Sequence, residues 1–299
     1  SGSGARRGAA RATWSRGMAG ALHVFSADEA AADPDACAHH VDVHGCCTIA
    51  GALSAPRCQE LRELVDATLR GVSLSVAGAA GEDAAEAVRL EHFGNVRCRG
   101  CRSDLKLPLR RAVREALASL AVAIGGVLAH QVSEQGRLVE LSCLTSDPGA
   151  ERQPLHPDTP IRGNGCAPLL TAFVALQPVS LEMGPTVLCP GTHTAAAHTA
   201  LDRWSLGQRS RDEVVEHFGG RPVLCEEGTA VLMDSRLLHC GGQNLASAMG
   251  GRRRRLLYTT WQLPGNAPLG STYSIREELK GQLRLSDFMG GSDPGPRLL

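Results

Sequence analysis

The chain has 299 residues, 43% of them hydrophobic and 21% charged, enough to bury one large core. Lysine plus arginine and aspartate plus glutamate number 31 each, so the formal charge is zero. That balance excludes a general nucleic-acid or anionic-membrane binder, which needs a basic excess. The longest apolar run, Leu117 to Leu128, falls short of the roughly 20 residues of a membrane span and contains Ser119, Gly125 and Gly126.

Only two basic residues, Lys106 and Lys280, are lysines, and the Ala, Gly and Arg excess reads as the imprint of a GC-rich genome. Arginine runs are weaker signals in such a chain. The 11 cysteines are odd in number and irregularly spaced. They predict free thiols in an intracellular compartment, cytoplasmic or organellar, rather than a disulfide framework. Cys98 and Cys101 have half the spacing of a zinc site, without a matching second pair.

Ser1 to Gly4 reads as a cloning remnant. Ala5 to Phe25 carries Arg6, Arg7, Arg11 and Arg16 and no acid, the composition of a transit peptide or equally of a disordered Arg/Ala tail. Residues 1–40 are therefore expected to be a tail, and 41–299 a single domain. His44 to Ala50 predicts a strand. Ser54 and Pro56 then open a helix with Leu61, Leu64, Val65 and Leu69 on one face, ended by Gly71. Gly78 to Glu86 reads as an acidic surface loop, and Leu109 to Leu128 as a core helix broken at Gly125-Gly126.

After Gly136 short β-like runs alternate with turn signals: Leu138–Leu144, Pro168–Leu176, Thr186–Leu188, Pro222–Cys225, Thr229–Met233 and Leu256–Gln262. One helix, Ser210 to Phe218, interrupts them. The expectation is an α+β, β-rich chain: flanking helices first, then a sandwich or barrel over about 137–263.

His156 and Asp158 are two apart in an extended segment, so both side chains lie on one face. With His239, at the end of the run from Thr229, they form a two-His, one-carboxylate set. That is the facial triad of non-heme Fe(II) oxygenases, which leaves coordination positions open. Further on, Arg252 to Arg255 lead directly into the apolar run Leu256-Leu257-Tyr258. An arginine that opens a buried strand needs a buried anion, and a carboxylate held bidentately suits it.

Four ordered stretches carry a resemblance: Ser146 to Pro160 (SDPGAERQPLHPDTP), Phe173 to His193 (FVALQPVSLEMGPTVLCPGTH), Gly228 to Asn244 (GTAVLMDSRLLHCGGQN) and Arg254 to Trp261 (RRLLYTTW). Together the chain, from about 41 to 290, resembles the phytanoyl-CoA dioxygenase family of Fe(II)/2-oxoglutarate-dependent oxygenases. The resemblance implies a double-stranded β-helix, or jelly roll, with Fe(II) held by His156, Asp158 and His239. It implies Arg254 for the C5 carboxylate of 2-oxoglutarate, or Arg253 or Arg255 if the register differs by one. The implied reaction uses O2, releases succinate and CO2, and oxidises a small-molecule or lipid-derived substrate. Asp158 favours hydroxylation, since the related halogenases lack the carboxylate; desaturation and cyclisation stay open.

Thr171 and Phe173 share a strand face; both line the cavity or fill the core, and Thr171 is the candidate cofactor contact. Arg162 and Asn164 read as substrate-facing or as a plain solvated loop. His193 reads as a packing residue, His39, His40 and His44 as a polar segment, and Cys240 as a buried inert thiol. Two other readings use the same residues: a zinc hydrolase on the His/Asp/His set, with no use for the arginine, and a catalytically silent jelly roll that binds a ligand.

Overall fold

The computed structural model describes residues 22–161, 169–205, 207, 209–265 and 273–290. The first half holds β1 (Val24–Ser26), α1 (Ala27–Ala32), α2 (Pro34–His44), β2 (Cys46–Ala50), α3 (Ala55–Ala77), α4 (Glu82–His92), β3 (Arg102–Lys106) and α5 (Arg111–Val132). The second holds β4 (Arg137–Ser146), β5 (Leu169–Ala175), β6 (Thr186–Leu188), α6 (Ala195–Ser205), α7 (Arg211–His217), β7 (Arg221–Pro222), β8 (Ala230–Asp234), β9 (His239–Gly241), β10 (Arg254–Gln262) and α8 (Ser286–Met289).

Seven strands form a major sheet in the order β1-β2-β8-β5-β10-β4-β3, and three form a minor sheet, β7-β6-β9. Apart from the parallel β1–β2 pair, the ladders are antiparallel. The period of two sorts the side chains of the major sheet. Ala172, Val174, Leu257, Leu141 and Cys143 face outward into the main core with Leu117, Leu120, Ile124 and Val127 of α5. Phe173, Val231 and Met233 face inward, where they pack with Leu188 and Val223 beside the minor sheet. This is the expected jelly-roll layering. By length and composition α5 reaches a membrane span, but its apolar face is buried in this core.

The ordered elements begin well before Val41, against the expectation of a tail through residue 40. Ser26 caps α1 in a reciprocal capping box with Glu29, and Asp33 with Pro34 starts α2. Ala30, Cys37, Ala38 and Val41 are buried from this segment. The cloning remnant and most of the Arg-rich stretch lie outside the described residues, as do Arg162 and Asn164.

Other boundaries shifted for identifiable reasons. His44 ends α2 rather than opening a strand, because Gly45 takes a left-handed φ of 75° as the C-cap. A side chain at Gly45 would also strike the ring of His193, which packs there as expected. Gly71 and the Gly125-Gly126 pair do not break their helices. Gly126 instead lets Pro34 approach within 2.8 Å of where a Cβ would stand, so its role is close packing. Residues expected to form a loop start α4, whose Glu82 and Asp83 complement the helix N-terminus. A second helix, α6, interrupts the strands besides α7. The expected strand Pro222–Cys225 is only the two-residue β7.

Gly228 shows how tightly the strand ends are clamped. Its φ is +78°, its N–H donates to the Ala175 carbonyl, and an added Cβ would sit 1.9 Å from the Leu53 carbonyl oxygen. Gly228→Ala therefore combines left-handed strain with a backbone clash, and is expected to lower stability by at least about 2 kcal/mol. A urea unfolding midpoint unchanged from wild type would contradict this.

Candidate active site

His156 and His239 meet through a reciprocal backbone pair. The His156 N–H donates to the His239 carbonyl at 3.0 Å, and the His239 N–H returns the bond at 2.9 Å. This bridge sets the two rings 4.6 Å apart, centroid to centroid. Each ring is then oriented by its Nδ1, which faces the Pro154 carbonyl at 2.7 Å in His156 and the Leu237 carbonyl at 3.0 Å in His239. An Nδ1–H donating to a carbonyl leaves the Nε2 lone pair free to bind a metal. Asp158 Oδ1 lies 3.9 Å from His156 Nε2 and 3.5 Å from His239 Nε2. The ligand atoms of all three residues fall within 4.8 Å of one another. Burial, and next the neighbouring His239, hold the His156 pKa well below its ordinary value. The ring is therefore neutral at neutral pH, as a metal ligand must be. His239 opens β9 of the minor sheet instead of closing β8; the polar Asp234-Ser235-Arg236 segment is the turn between them.

Among the described residues no other group of three His, Cys, Asp or Glu side chains meets this metal-site criterion. Cys98 and Cys101 thus acquire no further ligands, and every described cysteine is a free thiol. His40 packs against His44, with ring centroids 4.3 Å apart and the planes tilted by 48°, and lies near Phe25. Burial raises the Cys240 thiol to about 11, consistent with an inert side chain.

The arginine run separates by partner. Arg253 grips Asp147 through Nε and Nη2, at 2.5 and 2.9 Å. Arg255 makes bonds of 2.8–2.9 Å to Asp66 of α3. Arg254, between them on the inward face, is fully buried; its Nη1 donates to the Gly184 carbonyl, while among the described residues it has no acidic partner and its Nε and Nη2 have no acceptor. Burial, and next a second arginine, Arg102, push its pKa down to about 10. Removing the Arg255–Asp66 pair is expected to lower stability by about 1–3 kcal/mol in Arg255→Ala while leaving 2-oxoglutarate affinity within threefold. Calorimetric titration beside a melting curve checks both halves.

Arg102 was not anticipated. It lies in register with Ser146 of β4, which in turn pairs with Arg254 of β10, so the three side chains form one row across the sheet. Arg102 is 7% exposed and donates from Nη2 to the Gly242 carbonyl at 2.8 Å; among the described residues its Nε and Nη1 lack partners, as does the Ser146 hydroxyl. The two buried guanidinium groups thus leave four donor nitrogens without a partner among the described residues, and each unmade bond costs about 1–3 kcal/mol, or more for a charged group. The glycines that accept from them pack together: a Cβ on Gly184 would lie 2.5 Å from the Gln243 carbonyl carbon.

A cavity of about 430 Å³ opens at the triad, lined by His156, Asp158 and His239. Its other walls include Thr171, Phe173, Tyr258 and two carboxyl groups, Asp104 and Glu140, also unforeseen. Thr171 lines the cavity, with its hydroxyl 2.9 Å from that of Thr260. Burial pushes Asp104 up to about 6, against hydrogen bonds from Ser274 and Tyr258. Burial likewise raises Glu140 to about 8, against a bond from Thr260, with help from Asp158 and Asp104.

The phytanoyl-CoA dioxygenase (PhyH) family profile matches residues 41–254. Among solved structures, the fold is similar to HygX from Streptomyces hygroscopicus with nickel and 2-oxoglutarate bound, at 15% identity and a TM-score of 0.56 over 81% of this chain and 96% of that one. HygX with hygromycin B also bound gives 14% identity and a TM-score of 0.53 over 85% and 99%. It is also similar to SnoK, a non-heme alpha-ketoglutarate-dependent carbocyclase from nogalamycin biosynthesis, at 17% identity and a TM-score of 0.51 over 80% and 86%. No curated protein sequence matches. With the profile spanning most of the chain and a His/Asp/His set that fits Fe(II) at the end of the barrel, the protein belongs to the phytanoyl-CoA dioxygenase family and is a non-heme, 2-oxoglutarate-dependent dioxygenase.

Proposed function

We propose that the protein hydroxylates a small organic molecule, using Fe(II), 2-oxoglutarate and O2. His156, Asp158 and His239 would hold the iron, and Arg254 with Arg102 would take the C5 carboxylate of 2-oxoglutarate. The observation that carries this reading is the buried Arg102–Ser146–Arg254 row, whose donors lack partners among the described residues and ask for an anion, in a chain that also brings together a metal-ligand triad. A zinc hydrolase has no use for that row, and a silent scaffold has no need of three convergent ligands.

When bound, iron and 2-oxoglutarate supply an oxidative decarboxylation to succinate and CO2, coupled to oxidation of a substrate C–H bond. The chain supplies positioning. The carbonyls of Pro154 and Leu237 fix the two imidazole tautomers, so both Nε2 atoms converge on one point. Asp158 adds the anionic ligand, which supports hydroxylation over halogenation. The Gly184 and Gly242 carbonyls hold the two guanidinium groups at one end of the inward face, where an acid's far end would be anchored. The free thiols support a reducing intracellular setting.

Anaerobic titration of Fe(II) and then 2-oxoglutarate into metal-free protein tests the reading. A weak visible charge-transfer band should appear only when both are present. No band, with zinc bound tightly instead, would overturn it.

A further inference from the structure

The inward face of the major sheet is electrostatically divided. One end carries the Arg102–Ser146–Arg254 row; two residues further along β3 comes Asp104, and at the far end Glu140 lies in register with Thr260, itself paired with Thr171. The basic end is accounted for by 2-oxoglutarate. The acidic end, which lines the triad cavity, is not.

Among the described residues, the hydrogen-bond partners of these carboxyls are all neutral. Asp104, 3% exposed, accepts from the Tyr258 hydroxyl at 2.9 Å and the Ser274 hydroxyl at 2.5 Å. Glu140 accepts from the Thr260 hydroxyl at 2.5 Å and the Ser274 N–H at 3.3 Å. With neutral donors alone, burial raises Glu140 to about 8 and leaves it protonated at neutral pH; an ammonium placed beside it would restore the carboxylate and supply the missing counter-charge. The basic residue that lines this cavity, Arg97, is exposed. A second observation points to a ligand in the same space. Thr159, beside Asp158 and 1% exposed, lines the cavity with a hydroxyl that has no partner among the described residues. Asp104 also borders a second cavity of about 450 Å³, between α3, α4 and β3, and shares that border with Val96.

We propose that this wall selects a substrate bearing an ammonium group, with Glu140 as its direct contact and Asp104 reinforcing the negative field from the side. The inference rests on the oxygenase reading above. The ammonium donates to Glu140 while neighbouring hydroxyls of the substrate meet Thr159 and Thr171. The acidic end that faces the triad offers a phosphate or carboxylate no counter-cation, so a substrate with such a polar end is disfavoured there. An acyl-CoA thioester is therefore the wrong class for this cavity.

The test is succinate release by the iron-loaded enzyme with three probe sets: hydrophilic primary amines (amino alcohols and amino sugars), the same compounds N-acetylated, and medium- and long-chain acyl-CoA thioesters. Amines are expected to stimulate turnover, and N-acetylation to raise KM at least about tenfold, the equivalent of 1.4 kcal/mol. Glu140→Gln should raise KM for the amine about 10- to 100-fold and kcat less than threefold, with no effect on KM for the acetylated form. Asp104→Asn should repeat the pattern more weakly. Stimulation by thioesters, equal use of amine and acetylated forms, or no stimulation by any amine while the iron–2-oxoglutarate band is intact would each overturn the inference. Loss of the band in wild type would instead sink the oxygenase reading, and this inference with it.

Discussion

Arg254→Ala is expected to weaken 2-oxoglutarate binding by roughly 30- to 3000-fold, because truncating one partner of a buried charge pair costs about 2–5 kcal/mol. Such a loss would be unremarkable for any ligand contact; its companion effect on the ligand-free protein is more diagnostic. There Arg254 is a fully buried cation with two unsatisfied nitrogens and Arg102 as its near neighbour. Replacing it by an apolar residue of similar length removes a desolvation cost that nothing in the empty barrel offsets. Arg254→Met should therefore melt at or above the wild-type temperature without ligand, by an amount equivalent to about 0–4 kcal/mol. Wild type alone should then gain stability as 2-oxoglutarate is added. Crossing of the two melting curves is the signature of an arginine kept for a ligand. An affinity change below threefold would reject the assignment, and a large drop in ligand-free stability would show that Arg254 is structural. Arg102→Met should act in the same direction, and the double variant should lose less than the sum, since both groups grip one anion.

How much of this was legible in the chain depended on how local each feature is. His156 and Asp158 could be paired from spacing alone, because an extended segment puts alternate residues on one face. His239 was located, but its strand was not: the polar Asp234-Ser235-Arg236 turn between β8 and β9 was read as part of one run. Iron and 2-oxoglutarate came from the resemblance, which the family profile supports. Which arginine of the run is unpaired was beyond local reading, since it depends on Asp66 and Asp147, distant in sequence, claiming its two neighbours. Glu140 sits inside the expected strand Leu138–Leu144, where nothing local marks it as facing a cavity, whereas Arg102 and Asp104 escaped for a different reason. The strand Arg102–Lys106 places charges where a buried strand normally shows apolar residues, so the pattern that marks a strand is erased by the function it carries. Helix α6 was overlooked although Thr194 and the alanines after it are ordinary helix-start material.

His239→Ala should abolish the iron–2-oxoglutarate band and lower metal affinity by more than about 100-fold. Residues that merely orient a metal ligand typically account for 10- to 100-fold, and a direct ligand must exceed that. The fold gives this variant a clean control. The His239 backbone, not its ring, makes the bridge to His156, and its ring bonds only the nearby Leu237 carbonyl, so truncation leaves the bridge intact. The metal-free variant should thus remain folded, with a stability loss limited to one side chain at the cavity wall, about 1–2 kcal/mol. The decisive comparison is thermal. A metal at 100 times its dissociation constant adds about 2.7 kcal/mol to the wild type and nothing measurable to a variant that cannot bind it. Nickel serves as well as iron for this purpose, since binding rather than turnover is read. A variant that still gains stability from the metal would mean that His156 and Asp158 hold it without His239, and that the ion sits elsewhere in the cavity.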